Sequence, residues 1–251
     1  MKRKKRKLKP KIKKVTIIFV LVIFLLVLSV AINYYLTSNK TLKQVQTKKD
    51  YYTLSDFGYI KEKSSKDYNN NGIEDYQDIL IGEKKYAKLN PTYKSNYYAN
   101  GYPPVEKEGV CTDLIWYALK EAGYDLKSMI SQDIKDNNKD YNIEIQDDNI
   151  DFRRVENQEI FFKKYTESLT TDIYDTKNFM PGDILTFDNS AHIAMVSDKY
   201  NKNGVPYLIQ NRDENQKQKE EDRLEKTEMK VTGHYRFKSN DKLEELINKI
   251  K

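Results

Sequence analysis

An uninterrupted apolar run near the N-terminus constrains this chain more than any other feature. Residues 15–32 read VTIIFVLVIFLLVLSVAI, eighteen residues without a charge. As an α-helix this run is about 27 Å long, and its continuation to Leu36 brings it to about 33 Å, which is enough to cross the hydrocarbon core of a bilayer. The sequence therefore predicts a transmembrane anchor over residues 15–36, through which the chain contacts a membrane.

The residues before this run are strongly basic. Residues 1–14 hold ten Lys or Arg and no acidic residue. Because basic flanks stay on the cytoplasmic side, this tail predicts a single-pass protein of the cell membrane with a cytoplasmic N-terminus and an extracytoplasmic C-terminal part. A cleaved signal peptide is the alternative, since Ser29 and Ala31 are small enough for a cleavage site. The length of the apolar run favours an uncleaved anchor.

The formal net charge of +6 comes from this basic tail. The chain has 44 Lys and Arg, and without the ten in the tail 34 remain against 38 acidic residues. Nucleic-acid binding needs basic charge on the folded domain, so we expect no nucleic-acid partner. Cys111 is the only cysteine, and it therefore leaves a free thiol and no intramolecular disulfide.

Two segments separate the anchor from the predicted folded domain. Residues 37–66 are polar and Lys-rich without a sustained period, and they predict a stalk. Residues 67–78, DYNNNGIEDYQD, have the ligand spacing of an EF-hand calcium loop, with a glycine at the sixth position. They predict a weak structural Ca²⁺ site, and an Asn-rich turn without an ion is the alternative. The predicted ligands are Asp67, Asn69, Asn71, Ile73 through its carbonyl, Asp75 and Asp78.

Residues 79–238 are predicted to form an α+β domain, with an early helix followed by an antiparallel sheet. One apolar helical stripe comprises Leu114, Ile115, Ala118, Leu119 and Ala122. The runs ILTF, HIAMVSD and VPYLIQN are β-prone and bounded by turn residues, and GHYRF predicts a last strand. Residues 213–228 are nearly all polar and predict an exposed loop or helix edge. A short amphipathic helix is predicted over residues 239–251, with Asn240 or Asp241 as its cap.

Cys111 lies at or next to the start of the early helix. Unpaired N–H groups and the helix macrodipole stabilise a thiolate there, so we expect a lowered thiol pKa and a site that can hold an oxyanion. His192 opens a strand and is the candidate base, and Gln210 would lie beside it if the next strand is its neighbour. A lone cysteine is by itself more often a buried apolar residue. The conjunction of these residues favours catalysis.

Five motifs resemble the domain of unknown function 1287 family: GVCTD, NIDFRRVEN, PGDI, HIAMVSD and GHYR, which begin at positions 109, 149, 181, 192 and 233. The cysteine helix and the strands also resemble NlpC-type cell-wall peptidases. The resemblance covers about residues 97–237 and implies a papain-like fold with Cys111 as nucleophile, His192 as base and Gln210 as third residue. Relatives of the 1287 type tend to have histidine where this chain has Gln210, so the chain departs from the family pattern at this position.

Four further residues are predicted to bind substrate: Asp113, Arg153, Arg154 and Asn211. Asp113 and Arg154 match positions of the family motifs, and Asn211 follows Gln210 along its strand. A guanidinium binds a carboxylate through two parallel hydrogen bonds, so Arg153 and Arg154 are suited to a substrate carboxylate. A structural ion pair with Asp151 or Glu156 is the alternative for the two arginines.

Together these features predict a membrane-anchored, extracytoplasmic cysteine hydrolase. It would act as a peptidase or amidase on peptide or amide bonds of peptidoglycan, and the substrate follows from the family resemblance and the location. Two other functions are left open by the sequence. One is a thiol-dependent acyltransferase or transamidase, and the other is a non-catalytic, calcium-dependent module that binds the cell wall.

Overall fold

The computed structural model describes residues 10–44 and 49–251 of the chain, which divides into two compact units. The predicted basic tail up to residue 9, and residues 45–48 of the predicted stalk, lie outside the described residues. The first unit contains helix α1 (Pro10–Gln44). Its segment Ile17–Thr37 has a mean hydropathy of 2.9 and is exposed throughout. This segment is long and apolar enough to span a membrane, and a signal sequence has the same properties.

The second unit begins within the segment that the sequence predicted to be a stalk. Tyr52 forms an antiparallel bridge with Tyr200, and Leu54 is buried in a 3₁₀ turn. Glu62 accepts a hydrogen bond of 2.6 Å from Nη1 of Arg236. The second half of the predicted stalk is therefore packed on the domain, because a few aromatic and charged contacts hold an otherwise polar segment there.

The second unit has an α+β architecture. Its helices are α2 (Asp75–Leu89), α3 (Cys111–Glu121), α4 (Leu126–Tyr141), α5 (Val155–Tyr165) and α6 (Asp241–Ile250). A small parallel pair consists of β1 (Thr92–Tyr93) and β2 (Glu108–Gly109). The main sheet consists of β3 (Glu167–Ser168), β4 (Ile184–Phe187), β5 (His192–Tyr200), β6 (Pro206–Ile209), β7 (Glu220–Glu221) and β8 (Val231–Arg236). Its strand order is β3-β8-β4-β5-β6-β7 with every pair antiparallel, which confirms the predicted α+β class and antiparallel sheet.

The sheet separates two hydrophobic cores. Successive side chains of a strand point to opposite faces, so Ile193 and Met195 of β5 join the core under the helices. Ala194 and Val196 join the second core on the other face. Helix α3, whose apolar stripe is visible in the sequence, packs against both α2 and β5. This packing brings the helix that carries the cysteine against the strand that begins with the histidine.

Two element boundaries differ from the sequence-based expectation. Helix α2 begins at Asp75, inside the predicted calcium loop, with Glu74 as its N-cap. Strand β7 lies within the stretch that is predicted to be an exposed loop or helix edge. The C-terminal helix agrees with the prediction, because Oδ1 of Asn240 accepts a hydrogen bond of 3.1 Å from the Leu243 N–H and caps α6.

Candidate active site

The single cysteine is the first residue of α3. Val110, just before it, is extended, and the Asp113 carboxylate accepts the Val110 N–H at 2.8 Å, which satisfies one of the free donors at the helix start. Gly109 is needed one residue further upstream, because a Cβ there would lie 2.9 Å from the Tyr86 hydroxyl. The motif GVCTD therefore forms a tightly packed helix start with Cys111 at its first position.

Asn211 holds the backbone that leads to Cys111. Its Nδ2 donates to the Gly109 carbonyl at 2.8 Å and to the Tyr86 hydroxyl at 3.2 Å. The Tyr86 hydroxyl in turn donates to the Val110 carbonyl at 3.3 Å. Asn211 is fully buried, so a positioning role replaces the contact with substrate that the sequence predicted for it.

Strand β5 begins with His192, and Gln210 directly follows the neighbouring strand β6, which brings the two side chains together as predicted. Nε2 of His192 lies 2.8 Å from Oε1 of Gln210. Because the amide oxygen can only accept, Nε2 carries the proton and Nδ1 is left as the acceptor nitrogen. Burial lowers the pKa of His192, and Arg212 lowers it further, although the bond to Gln210 opposes both. The imidazole is therefore neutral at neutral pH and can take up a proton at Nδ1.

Cys111 and His192 line the same cavity, which has a volume of about 550 Å³. Gln210 and Tyr93 line it as well. The backbone N–H of Ile193, the residue after His192, acts to lower the pKa of the Cys111 thiol. A cavity of this size is typical of a small-molecule or peptide site. The structure thus brings together the three residues that the sequence predicted as catalytic.

The Cys111 thiol does not have the lowered pKa expected from its place at the helix start. Burial raises the pKa of this thiol to about 11, and the N–H groups of Ile193, Thr112 and Cys111 itself only partly offset the burial. The residue is 8% exposed, so the loss of hydration outweighs the helix N-terminus. The resting site is therefore a neutral thiol and a neutral imidazole that line one cavity.

One wall of the cavity comes from the polar segment after β6. This segment contributes charged lining residues, among them Arg212, Asp213, Arg223, Lys226 and Glu228. Leu224 is 2% exposed within the second core and fixes the segment to the domain. The sequence carries no signal for this wall, because one apolar residue in a polar, aperiodic stretch does not distinguish a cavity wall from a solvated loop.

Asp113 and Arg153 form a buried ion pair behind the helix start. Arg153 donates from Nε and Nη2 to the two carboxylate oxygens of Asp113, at 2.8 and 2.9 Å. Its Nη1 donates to the Asn96 carbonyl at 2.9 Å, and Trp116 Nε1 also donates to Asp113 at 2.9 Å. The two charged side chains are 2% and 0% exposed. A structural role therefore replaces the substrate contact predicted for both residues, because each satisfies the charge of the other.

Arg154 lies on the surface, outside the cavity. Its side chain is 59% exposed, and its Nε lies 3.6 Å from the Asp151 carboxylate. This is one of the two ion pairs that the sequence left open as an alternative to a substrate contact. The placement favours the ion pair, because Arg154 is not among the residues that line the cavity.

The region that carries this site matches a known family. Residues 82–237 match the family described as Domain of unknown function (DUF1287). The chain belongs to the DUF1287 family. The uncharacterized protein YijF of Escherichia coli (strain K12) is 34% identical to it over 154 residues, which cover 59% of this chain and 72% of that protein. No solved structure matches the chain.

The predicted calcium loop lies just before the DUF1287 match. Gly72 turns at the sixth position with φ +89°, as the motif requires, and the Asp67 carboxylate accepts the Gly72 N–H at 2.8 Å. Asn69 and Asn71, however, both donate from Nδ2 to Oδ2 of Asp78 at 2.9 Å. The amide groups thus turn their donors toward a carboxylate that was predicted to bind the ion.

Asp75 and Ile73 complete the predicted ligand set. The Asp75 carboxylate accepts the Tyr68 N–H at 2.8 Å and the Tyr124 hydroxyl at 2.7 Å, and it is 2% exposed. Burial raises the pKa of Asp75, and nearby Asp67 adds to the rise. In residues 10–44 and 49–251 no group of three or more His, Cys, Asp or Glu side chains is arranged to hold a metal. The residues as placed do not form a Ca²⁺ cage, and the calcium site stays a prediction.

Calcium titration of the full DUF1287 protein checks this prediction. If Ca²⁺ binds the folded loop, millimolar Ca²⁺ should raise the melting temperature above that in EDTA, and a concentration of 100 Kd would add about 2.7 kcal/mol of stability. Asp67→Ala should remove the shift, and Asp172→Ala, at an exposed turn, should keep it. Equal melting temperatures in Ca²⁺ and EDTA would instead support an Asn-rich turn without an ion.

Proposed function

We propose that this DUF1287 protein is an extracytoplasmic cysteine hydrolase, a peptidase or amidase, with α1 as its membrane anchor. The observation that carries the proposal is the common cavity of Cys111, His192 and Gln210, in which Nε2 of His192 lies 2.8 Å from Oε1 of Gln210. A helix that begins with cysteine and packs on an antiparallel sheet, with histidine and an amide on neighbouring strands, is the arrangement expected of the papain-like fold.

The first half-reaction begins from the neutral pair. Nδ1 of His192 takes the thiol proton as the Cys111 sulfur attacks the carbonyl carbon of the bound amide. The tetrahedral oxyanion is stabilised by N–H groups at the start of α3, and Tyr93 lines the same cavity. Burial raises the pKa of Tyr93, so its phenol keeps the proton that a donor needs.

The remaining steps release first the amine and then the acid. The imidazolium of His192 gives its proton to the leaving amine, and the C–N bond breaks to leave a thioester on Cys111. A water molecule then loses a proton to His192 and attacks the thioester, which restores the thiol and frees a carboxylate. Gln210 holds the ring through Nε2 in both steps without adding a charge to the site.

The substrate and location rest on different grounds from the chemistry. The basic tail, residues 1–14, favours a cytoplasmic N-terminus, which puts the DUF1287 domain outside the membrane, where peptidoglycan lies. The NlpC-type resemblance of the cysteine helix points to the same polymer. Peptide or amide bonds of peptidoglycan are therefore the substrate class that we propose.

Product analysis tests the proposed function. The full chain in mild detergent is incubated with purified peptidoglycan fragments, and the products are identified by mass spectrometry. The control is the same protein alkylated with iodoacetamide, which modifies one site because Cys111 is the only cysteine. We expect a new amine and a new carboxylate in the untreated sample alone. Transfer of the acyl group to an added amine would indicate a transamidase, and identical products in both samples would contradict a thiol-dependent enzyme.

A further inference from the structure

We propose that Arg223 binds a free carboxylate of the substrate, so that the cavity selects amides within acidic peptides. The inference deepens the proposed hydrolase and rests on it for the reaction. Arg223 lies in the same cavity lining as Cys111 and His192. It comes from the segment after β6, to which the sequence gave no functional role.

The charges of the cavity wall distinguish Arg223 from the other basic residues. Arg212 pairs with Asp213, and Lys226 pairs with Asp222. Across the described ranges, no carboxylate lies within ion-pair distance of the Arg223 guanidinium, although this residue is partly buried. A partly desolvated cation without a partner favours an anion from a ligand.

The segment around Arg223 is held in place before any ligand binds. Leu224 is buried in the second core, and the Glu225 carboxylate accepts hydrogen bonds from Asn201 at 2.8 Å and from Asn203 at 3.0 Å. Arg223, the residue directly before Leu224, is thus presented by a backbone that these contacts hold in place. Such preorganisation reduces the ordering cost of binding and suits a residue that selects substrate.

Glu228 is the opposing charge in the same wall. It has no ion pair among the residues described, but it is exposed, so water and salt screen its repulsion of an anion. Arg223 is better shielded, and its planar guanidinium can bind a carboxylate through two parallel hydrogen bonds. The balance in the cavity therefore favours a carboxylate over a neutral amide at this position.

The sequence predicted a carboxylate-binding arginine at Arg153 or Arg154. Arg153 already donates to Asp113 and to the Asn96 carbonyl, and Arg154 lies outside the cavity. Arg223 is the lining arginine whose guanidinium remains available, because Arg212 is paired. The chemistry foreseen for the earlier motif thus belongs to the later segment.

Matched probes test this inference with the full chain in mild detergent. One probe is a set of peptidoglycan stem peptides with free carboxylates, and the other is the same set converted to primary amides with carbodiimide and ammonium. Wild type should cleave the carboxylate probe about 10- to 100-fold better in kcat/KM, the range of one charge-assisted pair. Arg223→Gln should lose this preference, and Arg154→Gln, the same change outside the cavity, should keep it.

A second readout separates this inference from the proposed reaction. Each probe is tested for protection of Cys111 against iodoacetamide, which requires binding and no turnover. Protection by the carboxylate probe that Arg223→Gln weakens would support the site even if no amide is cut, in which case the hydrolase proposal alone fails. Equal cleavage of both probes by wild type, or equal protection by both in wild type and Arg223→Gln, would overturn the carboxylate site.

Discussion

Replacement of Cys111 by alanine should abolish the hydrolysis of peptidoglycan fragments, with kcat/KM lower by about 10³-fold or more. The chain has no other thiol, and the cavity that holds Cys111 also holds the proposed base. Donors that hold an oxyanion would remain, so any residual rate should be slow and should show no acyl-enzyme. Release of new amine, followed by mass spectrometry over time, measures the loss.

Two controls keep this result interpretable. Alanine is smaller than cysteine by one sulfur atom, so the variant should melt close to wild type, and a large drop in melting temperature would point to misfolding. Cell-wall binding is measured in parallel. A variant that still cuts amides at the wild-type rate would contradict the proposed nucleophile. If wild type binds the cell wall without cutting it, and the variant binds equally well, the non-catalytic module would be favoured.

The pH dependence of wild-type kcat/KM follows from the two neutral partners. Below its pKa the His192 imidazole is protonated and cannot accept the thiol proton, so the rate should fall as pH falls. Burial lowers that pKa, which places the fall below pH 6.5. Above the pKa of His192 the active pair should persist until the Cys111 thiol ionises, and burial raises the pKa of that thiol to about 11. A thiolate–imidazolium pair would instead lose activity as pH rises through the pKa of its imidazolium.

The local parts of the site could be predicted from the sequence. The apolar stripe beginning at Leu114 predicts where α3 starts, and this places Cys111 at its first turn. The alternation in HIAMVSD and YLIQN predicts two strands, and their adjacency puts Gln210 beside His192. These features depend on the periods of helix and strand, which a single sequence displays.

Features that depend on tertiary packing could not be predicted in the same way. Arg153 pairs with Asp113, which lies 40 positions earlier, and no spacing rule connects the two. The thiol pKa of Cys111 depends on how much water the fold excludes, which the helix start alone does not determine. Arg223 lines the cavity because its neighbour Leu224 is buried in the second core. The papain-like comparison likewise goes beyond the α+β class that the sheet itself establishes.

The family motif has a physical reading once these contacts are known. In GVCTD, Gly109 is required by the close approach of Tyr86, and Asp113 serves both as helix cap and as the partner of Arg153. Thr112 donates from its hydroxyl to the Arg153 carbonyl at 2.9 Å. The residues around Cys111 therefore mainly hold the helix start in place. The proposed catalysis would depend on Cys111, His192 and Gln210.

Loss of either partner of the Asp113–Arg153 pair should destabilise the domain by about 3–5 kcal/mol. Asp113→Ala leaves a guanidinium that is 2% exposed without its carboxylate, and it also leaves the Val110 N–H and Trp116 Nε1 without their acceptor. Buried groups without partners cost far more than the pair itself contributes, which is why the expected effect is large. Urea unfolding followed by circular dichroism measures the free energy of unfolding.

Three variants separate a buried pair from a surface one. Arg153→Met should be as destabilising as Asp113→Ala, since it leaves the Asp113 carboxylate enclosed. The double variant should lose less than the sum of the two, because no lone charge then remains buried. Arg154→Ala should change stability by about 1 kcal/mol at most, because its side chain is 59% exposed and its Nε lies 3.6 Å from the Asp151 carboxylate. Additive losses of unfolding free energy at Asp113 and Arg153 would mean that the two charges act independently and would contradict the proposed pairing.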